Sequence, residues 1–229
     1  MADAIRFDAT NEYVYREASV FDWNSAYTMF VRVYHVGLEG RQQEIFGIYD
    51  SDTGYEYLIA NASDQIWLVL DGGSGGYGEA TTVADYATGV WTDYCLVRSS
   101  ATALDLYING TLALSVTASV SGRGTATGFI FGGTTGWLNG RITTAIIWST
   151  ALSSGEIATQ RASGPAVVQR ANLWGEWYLT GVSDLADRSG NGRDLIADGG
   201  LTTEAGPALF WHGPPPPRGS RTPFAVLAR

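Results

Sequence analysis

Two short stretches of this chain carry oxygen ligands at spacings that could hold a metal ion. Asp50, Asp52 and Glu56 alternate around Gly54 in DSDTGYE, and a hard cation such as calcium takes its oxygen ligands from loops of this kind. Asp187, Asn191 and Asp194 in DRSGNGRD form a second set. Both also have a plain local reading, in which the Asx side chains satisfy their own backbone in turns. Calcium is thus the one cofactor these residues suggest. Catalytic arrangements are missing. His35, His212 and Cys95 are the only imidazole and thiol groups, too few for zinc and without the spacing of a triad. Glu44, Glu56 and Glu176 are isolated, so no carboxylate pair is set up for acid–base work, and the chain reads as a non-enzyme. Gly72–Gly78 lacks the lysine and the following helix that would make its glycines a phosphate cradle.

Sugar binding needs exposed aromatic rings beside polar groups. Trp137, in GTTGWLNG, and Tyr77, in the glycine-rich DGGSGGYGEA, are the candidates. Trp67, Trp91, Trp148 and Trp174 fall in strand patterns and are expected in the core. His35 follows a strand and is expected to be structural or at a rim. Cys95 sits in an apolar strand pattern and reads as a small buried hydrophobe.

The elements that position these residues are nearly all strands. Ala103–Val116 is a hairpin, with Leu104, Leu106 and Ile108 alternating before Asn109-Gly110 and Leu112, Leu114 and Val116 after it. A two-residue loop would set the apolar residues of one strand against the polar face of the other. A three-residue loop, with Gly110 left-handed, is expected to put all the leucines on one face. Short alternating strands flank Asp8–Glu12. Tyr27–Val36 is a strand with Met29, Val31 and Val33 on one face, and Glu44–Ala60 is a second hairpin closed by Asp50–Gly54. Gln65–Leu70 is apolar enough for a central strand, whereas Asp71–Ala80 is expected to be a long loop. Trp91–Arg98, Gly128–Gly133, Gly140–Trp148, Asn172–Leu179 and Asp194–Ala197 complete the strands. One short helix is expected at Ser154–Arg161, started by a Ser153…Glu156 capping box.

Length and charge bound the rest. The chain has 229 residues, 29 of them glycine, as expected of many short strands joined by tight turns. All 14 basic residues are arginine, and the net charge is −9. Glu204 is the last acid and Arg218, Arg221 and Arg229 come after it, so the −9 divides into −12 up to Glu204 and +3 beyond. An acidic body argues against nucleic-acid binding. No apolar run could span a bilayer, and MADAIRFDAT has no signal-peptide pattern, so the expected protein is soluble, without a membrane partner.

RFDATNEYVY, YTMFVRV, Trp91 with YCLV, LDLYING, and GFIFGG followed by NGRITTAIIWSTALSSGEI occur in that order. Together they resemble the strands of laminin-G-like domains in the concanavalin A-like lectin superfamily, over roughly residues 4–160. The resemblance implies an all-β fold: a jelly-roll sandwich of two antiparallel sheets with one short helix. Two departures stand out. Thr143-Thr144 replaces the family's acidic pair, which puts any role of those acids here in doubt. Leu173–Leu195 looks like a segment that usually precedes the first strand, so 173–200 reads as permuted or exchanged with a neighbour. The clustered carboxylates of the family's glycosidases have no counterpart.

The resulting division is a jelly-roll domain over 1–205 and an extended arm over 206–229. Pro214, Pro215, Arg218 and Arg221 make the arm stiff and basic, and Phe224, Val226 and Leu227 are its apolar anchors. The arm is expected to hold another copy of the chain, or a capsid or other assembly protein, with folding back on its own domain as the alternative. The leading expectation is a non-catalytic surface component of a phage virion, such as a head-decoration or cement protein. The alternative is a soluble, glycan-binding lectin, with calcium as its candidate cofactor.

Overall fold

Strands whose residues alternate between apolar and polar must bury one face. The 15 strands among the described residues do so in two antiparallel sheets. The computed structural model describes residues 3–9, 11–17, 25–37, 40–49, 55–61, 65–71, 77–81, 87–117, 127–133 and 136–206. The eight-stranded sheet runs β10 (Thr111–Thr117), β9 (Ala103–Ile108), β8 (Trp91–Ser100), β3 (Tyr27–His35), β12 (Gly140–Trp148), β1 (Asp3–Phe7) and β15 (Thr202–Ala205), with β13 (Leu173–Tyr178) also paired to β12. The seven-stranded sheet runs β14 (Ile196–Asp198), β2 (Tyr13–Glu17), β11 (Gly128–Gly132), β4 (Gln43–Tyr49), β5 (Tyr55–Ala60), β6 (Ile66–Asp71) and β7 (Tyr77–Thr81). This is the expected jelly-roll sandwich.

The core lies between the sheets. Met29, Val31, Val33, Ile142 and Ile147 from one sheet and Phe46, Ile48, Leu58, Phe129 and Phe131 from the other are fully buried in one cluster. β12 is the hub. It pairs with β3 along its whole length on one side, and on the other with β1 up to Ile142 and β13 from Thr144. The outer face of β12 is covered as well. Ile146 and Trp148 pack with Phe30, Cys95, Leu152 and Ile157 beneath α1 (Ser154–Arg161). The capping box forms: the Ser153 hydroxyl accepts from the Glu156 amide, and the Glu156 carboxylate accepts from the Ser153 amide. The far end of α1 is pinned by Asp93, which is buried. Its carboxylate takes both arms of the Arg32 guanidinium at 2.6 and 3.0 Å and Arg161 Nε at 3.1 Å.

The late segment 173–200 pairs with both sheets: β13 with β12 in one and β14 with β2 in the other, and β15, just after it, pairs with β1. Trp174 and Trp177 of β13 pack against Phe129, with ring centroids 5.7 and 5.5 Å away.

Three local expectations are corrected. The hairpin loop has two residues, Asn109 and Gly110, both at positive φ (51° and 82°), with Ile108 paired to Thr111. The register problem is real but is solved inside β10, where a bulge between Leu112 and Leu114 shifts the pairing. Leu114 and Val116 then stand opposite Leu106 and Leu104, while Leu112 faces out, 50% exposed. Asp71–Ala80 is not all loop, because Tyr77–Thr81 pairs with β6 as the edge strand, which leaves Gln65–Leu70 next to the edge rather than central. Trp148 and Trp174 are buried, but Trp67 and Trp91 are only half-buried. Period two puts Trp67 on the face opposite to Ile66 and Leu68, where its indole N–H donates to Glu79 at 3.0 Å.

The bulge gives a direct test. Leu106→Ala should cost about 2–5 kcal/mol in urea unfolding, as for a buried leucine, and Leu112→Ser should stay within about 0.5 kcal/mol. Equal costs would mean that Leu112 faces the core, as a three-residue loop requires.

Candidate functional site

On the outer face of the seven-stranded sheet, cross-strand rows set tyrosines around glycines across four strands. One cross-strand row reads Tyr15, Ile130, Gly47, Tyr57, from β2 through β11 and β4 to β5. The next reads Glu17, Gly128, Tyr49. Neighbours in a row share a face, so tyrosines flank a low floor of Gly47, Gly128 and Ile130. The glycines are required. A Cβ on Gly128 would lie 2.4 Å from the Tyr49 hydroxyl oxygen, and one on Gly47 would lie 2.7 Å from the Tyr57 ring. With no side chain at Gly47 or Gly128 the rings lie across the floor, as aromatic residues do over strand glycines. The result is a depression of about 290 Å³ lined by Tyr13, Tyr15, Tyr49 and Tyr57 with Glu17 and Glu44.

The polar groups are set for hydrogen bonding. Tyr13 donates to Asp198 of β14 at 2.9 Å, and that bond, with the carboxylate charge, raises its pKa. Burial, then Glu17, then Tyr15 raise the Tyr49 pKa. Both hydroxyls stay protonated at neutral pH; Tyr13, whose proton goes to Asp198, can still accept, and the Tyr49 hydroxyl is both a donor and an acceptor. Tyr13 and Tyr15 meet edge to face, 5.4 Å between centroids. Glu44 is almost fully buried, and its amide donates to the Gly136 carbonyl at 2.7 Å.

That bond places the loop of Trp137 against Glu44. Trp137 is half-buried, with the Arg41 guanidinium 3.4 Å over its ring. Its indole N–H has no hydrogen-bond partner among the described residues. Tyr77 lies on β7 opposite Asp71, which is opposite Tyr55, so its register position continues the Glu17–Tyr49 row. Glu56 belongs to β5, opposite Ile48, rather than to the turn. Asp50 and Asp52 lie outside the described residues, as do Pro214, Pro215, Arg218, Arg221, Phe224, Val226 and Leu227.

The second oxygen-rich loop is brought together around its own backbone. Buried Asp187 accepts from the amides of Glu176, Ser189 and Arg193 at 3.1, 2.8 and 2.9 Å, and from the Ser189 hydroxyl at 2.8 Å. Asp194 accepts from the Asp187 amide, and Asn191 donates to the carbonyls of Leu173 and Trp174. This is the bonding of Asx turns. Among the described residues no group of three or more His, Cys, Asp or Glu side chains could hold a metal ion. Glu176 is buried, accepting from the Ala166 amide and the Tyr178 hydroxyl at 2.6 Å each, and burial raises its pKa. His35 is fully buried, 3.0 Å from the Tyr94 hydroxyl, and burial lowers its pKa to about 3. Cys95 is buried and its thiol pKa is raised, chiefly by burial.

Sequence pattern alone does not single out the tyrosine rows. Their signal is there: Tyr13 and Tyr15 flank Val14, and Tyr57 precedes Leu58, so tyrosine recurs on the faces opposite the core. Which strands lie side by side, and hence that glycines fall between the rings, is decided only by the fold.

A family model for the concanavalin A-like lectin/glucanases superfamily matches residues 8–158. No curated protein matches the chain. Among solved structures, the heptameric SAP-like pentraxin of Limulus polyphemus is 14% identical with a TM-score of 0.62, over 88% of this chain and 94% of the pentraxin. Mouse laminin α1 domains LG4-5 are 14% identical with a TM-score of 0.52, over 66% of this chain and 43% of that one. The CBM40 of the Ruminococcus gnavus IT-sialidase, solved bound to α2,3-sialyllactose, is 13% identical with a TM-score of 0.52, over 68% of this chain and 96% of the module.

Buried His35 makes stability depend on pH. Its pKa is about 3 when folded and about 6.5 when unfolded, so below pH ~6.5 the unfolded chain binds the extra proton. Stability should fall by up to about 1.4 kcal/mol per pH unit from there down to the folded value. Urea unfolding from pH 7 to pH 4 should show this slope, and His35→Gln should flatten it; an unchanged slope in the variant would assign the loss to other groups.

Proposed function

Because the chain belongs to the concanavalin A-like lectin/glucanase superfamily, we propose that it is a non-catalytic carbohydrate-binding domain that holds a saccharide on the tyrosine rows of its seven-stranded sheet. The observation that carries this is Tyr15 and Tyr57 facing each other across Ile130 and Gly47, with Tyr49 and Glu17 in the adjoining row. Tyrosine rings offer flat apolar faces for the C–H faces of a pyranose and keep a hydroxyl at the tip. Carboxylates accept from sugar hydroxyls in charge-assisted hydrogen bonds. Glu17 and Glu44 in the depression and a net charge of −9 disfavour an anionic sugar, so the ligand is a neutral saccharide rather than a sialylated one. The CBM40 neighbour, solved with sialyllactose, supports the fold's suitability for glycans and differs in this charge requirement.

We further propose the setting that the sequence suggests, a virion surface component such as a phage head-decoration or cement subunit. The support is the basic, proline-rich stretch beyond Glu204, an attachment segment for an otherwise acidic protein. Removing 214–229 should abolish incorporation into the particle while the domain stays folded by circular dichroism; unchanged incorporation would remove this setting.

Screening on an array of neutral and sialylated glycans, followed by calorimetry, tests the main reading. Neutral saccharides should bind, and Tyr15→Ala and Tyr49→Ala should each weaken binding about tenfold or more, the scale of a central aromatic contact. Binding that survives both variants places the ligand elsewhere, and release of reducing sugar would overturn the non-catalytic assignment.

A further inference from the structure

The depression has a second fitting occupant within the chain itself. β1 runs from Asp3 to Phe7, the chain turns where the Asp8 and Ala9 amides donate to Glu12, and β2 returns from Tyr13 to Glu17. Asp3 and Glu17 therefore lie at the same end of the sandwich. β14 lies beside β2 in one sheet, and β15 lies beside β1 in the other, ending with Ala205 opposite Asp3. The chain thus reaches Ala205 on the side of the sandwich where β14 and, next to it, β2 with Tyr13 and Tyr15 lie, and at the end where β2 finishes in Glu17.

The sequence beyond Ala205 is suited to that surface. Residues 207–229 contain Pro207, Pro214–Pro217 and Pro223 with Arg218, Arg221 and Arg229, and no acidic residue. A run of prolines is restricted to polyproline II geometry, so it loses little conformational freedom on binding. Such segments are recognised by grooves lined with aromatic rings, and a flanking arginine pairs with a carboxylate. Tyr15, Tyr49 and Tyr57 supply the rings and Glu17, which is exposed, supplies the charge. Reach is ample. Gly206–Gly213 spans up to about 26 Å when extended, against roughly 10 Å between packed sheets and about 5 Å per strand.

We propose that in the free chain, apart from any particle to which it attaches, the chain's own Pro214–Arg221 docks on the tyrosine depression, with the prolines on Tyr15, Tyr49 and Tyr57 and Arg218 beside Glu17. The segment and a saccharide then compete for the same rings, and docking stands whether or not a saccharide binds.

The test uses the full chain with Ser220→Cys carrying a nitroxide; buried Cys95 does not take the label. In amide NMR spectra, docking predicts broadening of Tyr15, Glu17, Gly47 and Tyr49 relative to the reduced label, with β8 and β9 spared. The broadening should persist on dilution and be relieved by Glu17→Lys, a substitution at an exposed position, and by Tyr49→Ala. Absence of broadening on this face, or broadening unchanged in Glu17→Lys, overturns the proposal. Broadening in a mixture of spin-labelled and separately isotope-labelled molecules would assign the segment to a second copy and overturn the intramolecular form. Saccharide binding without broadening removes segment docking alone, and broadening without saccharide binding removes the carbohydrate reading alone.

Discussion

The buried carboxylate of Asp187 ties together the turn between β13 and β14. A buried carboxyl group needs hydrogen-bond partners, and Asp187 meets four donors from its own turn and from β13. Through the Glu176 amide the turn is joined to β13, and through Asp194 to the approach to β14. β13 carries Trp174 and Trp177 onto Phe129, under the floor of the depression, and β14 supplies the Asp198 that fixes Tyr13. The same turn therefore braces both sheets at the edge where the candidate site lies.

The site itself arises from sheet geometry rather than from a special loop. Period-two alternation sends Val14, Ile48 and Leu58 into the core and leaves Tyr13, Tyr15, Tyr49 and Tyr57 outside. Pairing then sets Gly128 against Tyr49 and Gly47 against Tyr57. A larger residue at either glycine would lift the rings off the floor and fill the depression. Rings on a rigid sheet are well suited to ligands with flat, weakly polar faces, whether a sugar or a prolyl segment, because little side-chain freedom is left to lose on binding.

The opposite sheet is built to be covered. Its outer face is apolar at Phe30, Ile146 and Trp148, and α1 closes over them with Ile157. Asp93, Arg32 and Arg161 lock the end of that helix to the sheet. One sheet thus spends its outer face on stability, and the other leaves its outer face open.

The all-β class, the capping box of α1, the burial of Cys95, and the inward faces of most strands were legible in the sequence, because each depends on local alternation or on contacts a few residues apart; the full burial of His35 at the end of β3 was not. The ordered motifs that resemble laminin-G-like domains carried the two-sheet architecture as well. The position of Leu112 was not legible, because a bulge in β10 and a longer loop correct the register equally well on paper. Nor was the candidate site. Tyr15 and Tyr57 are 42 positions apart in the chain, and they face each other only because β11 and β4 come between β2 and β5. Local pattern determines which residues face outward; long-range strand order, set by burial of the shared core, decided which of them stand together.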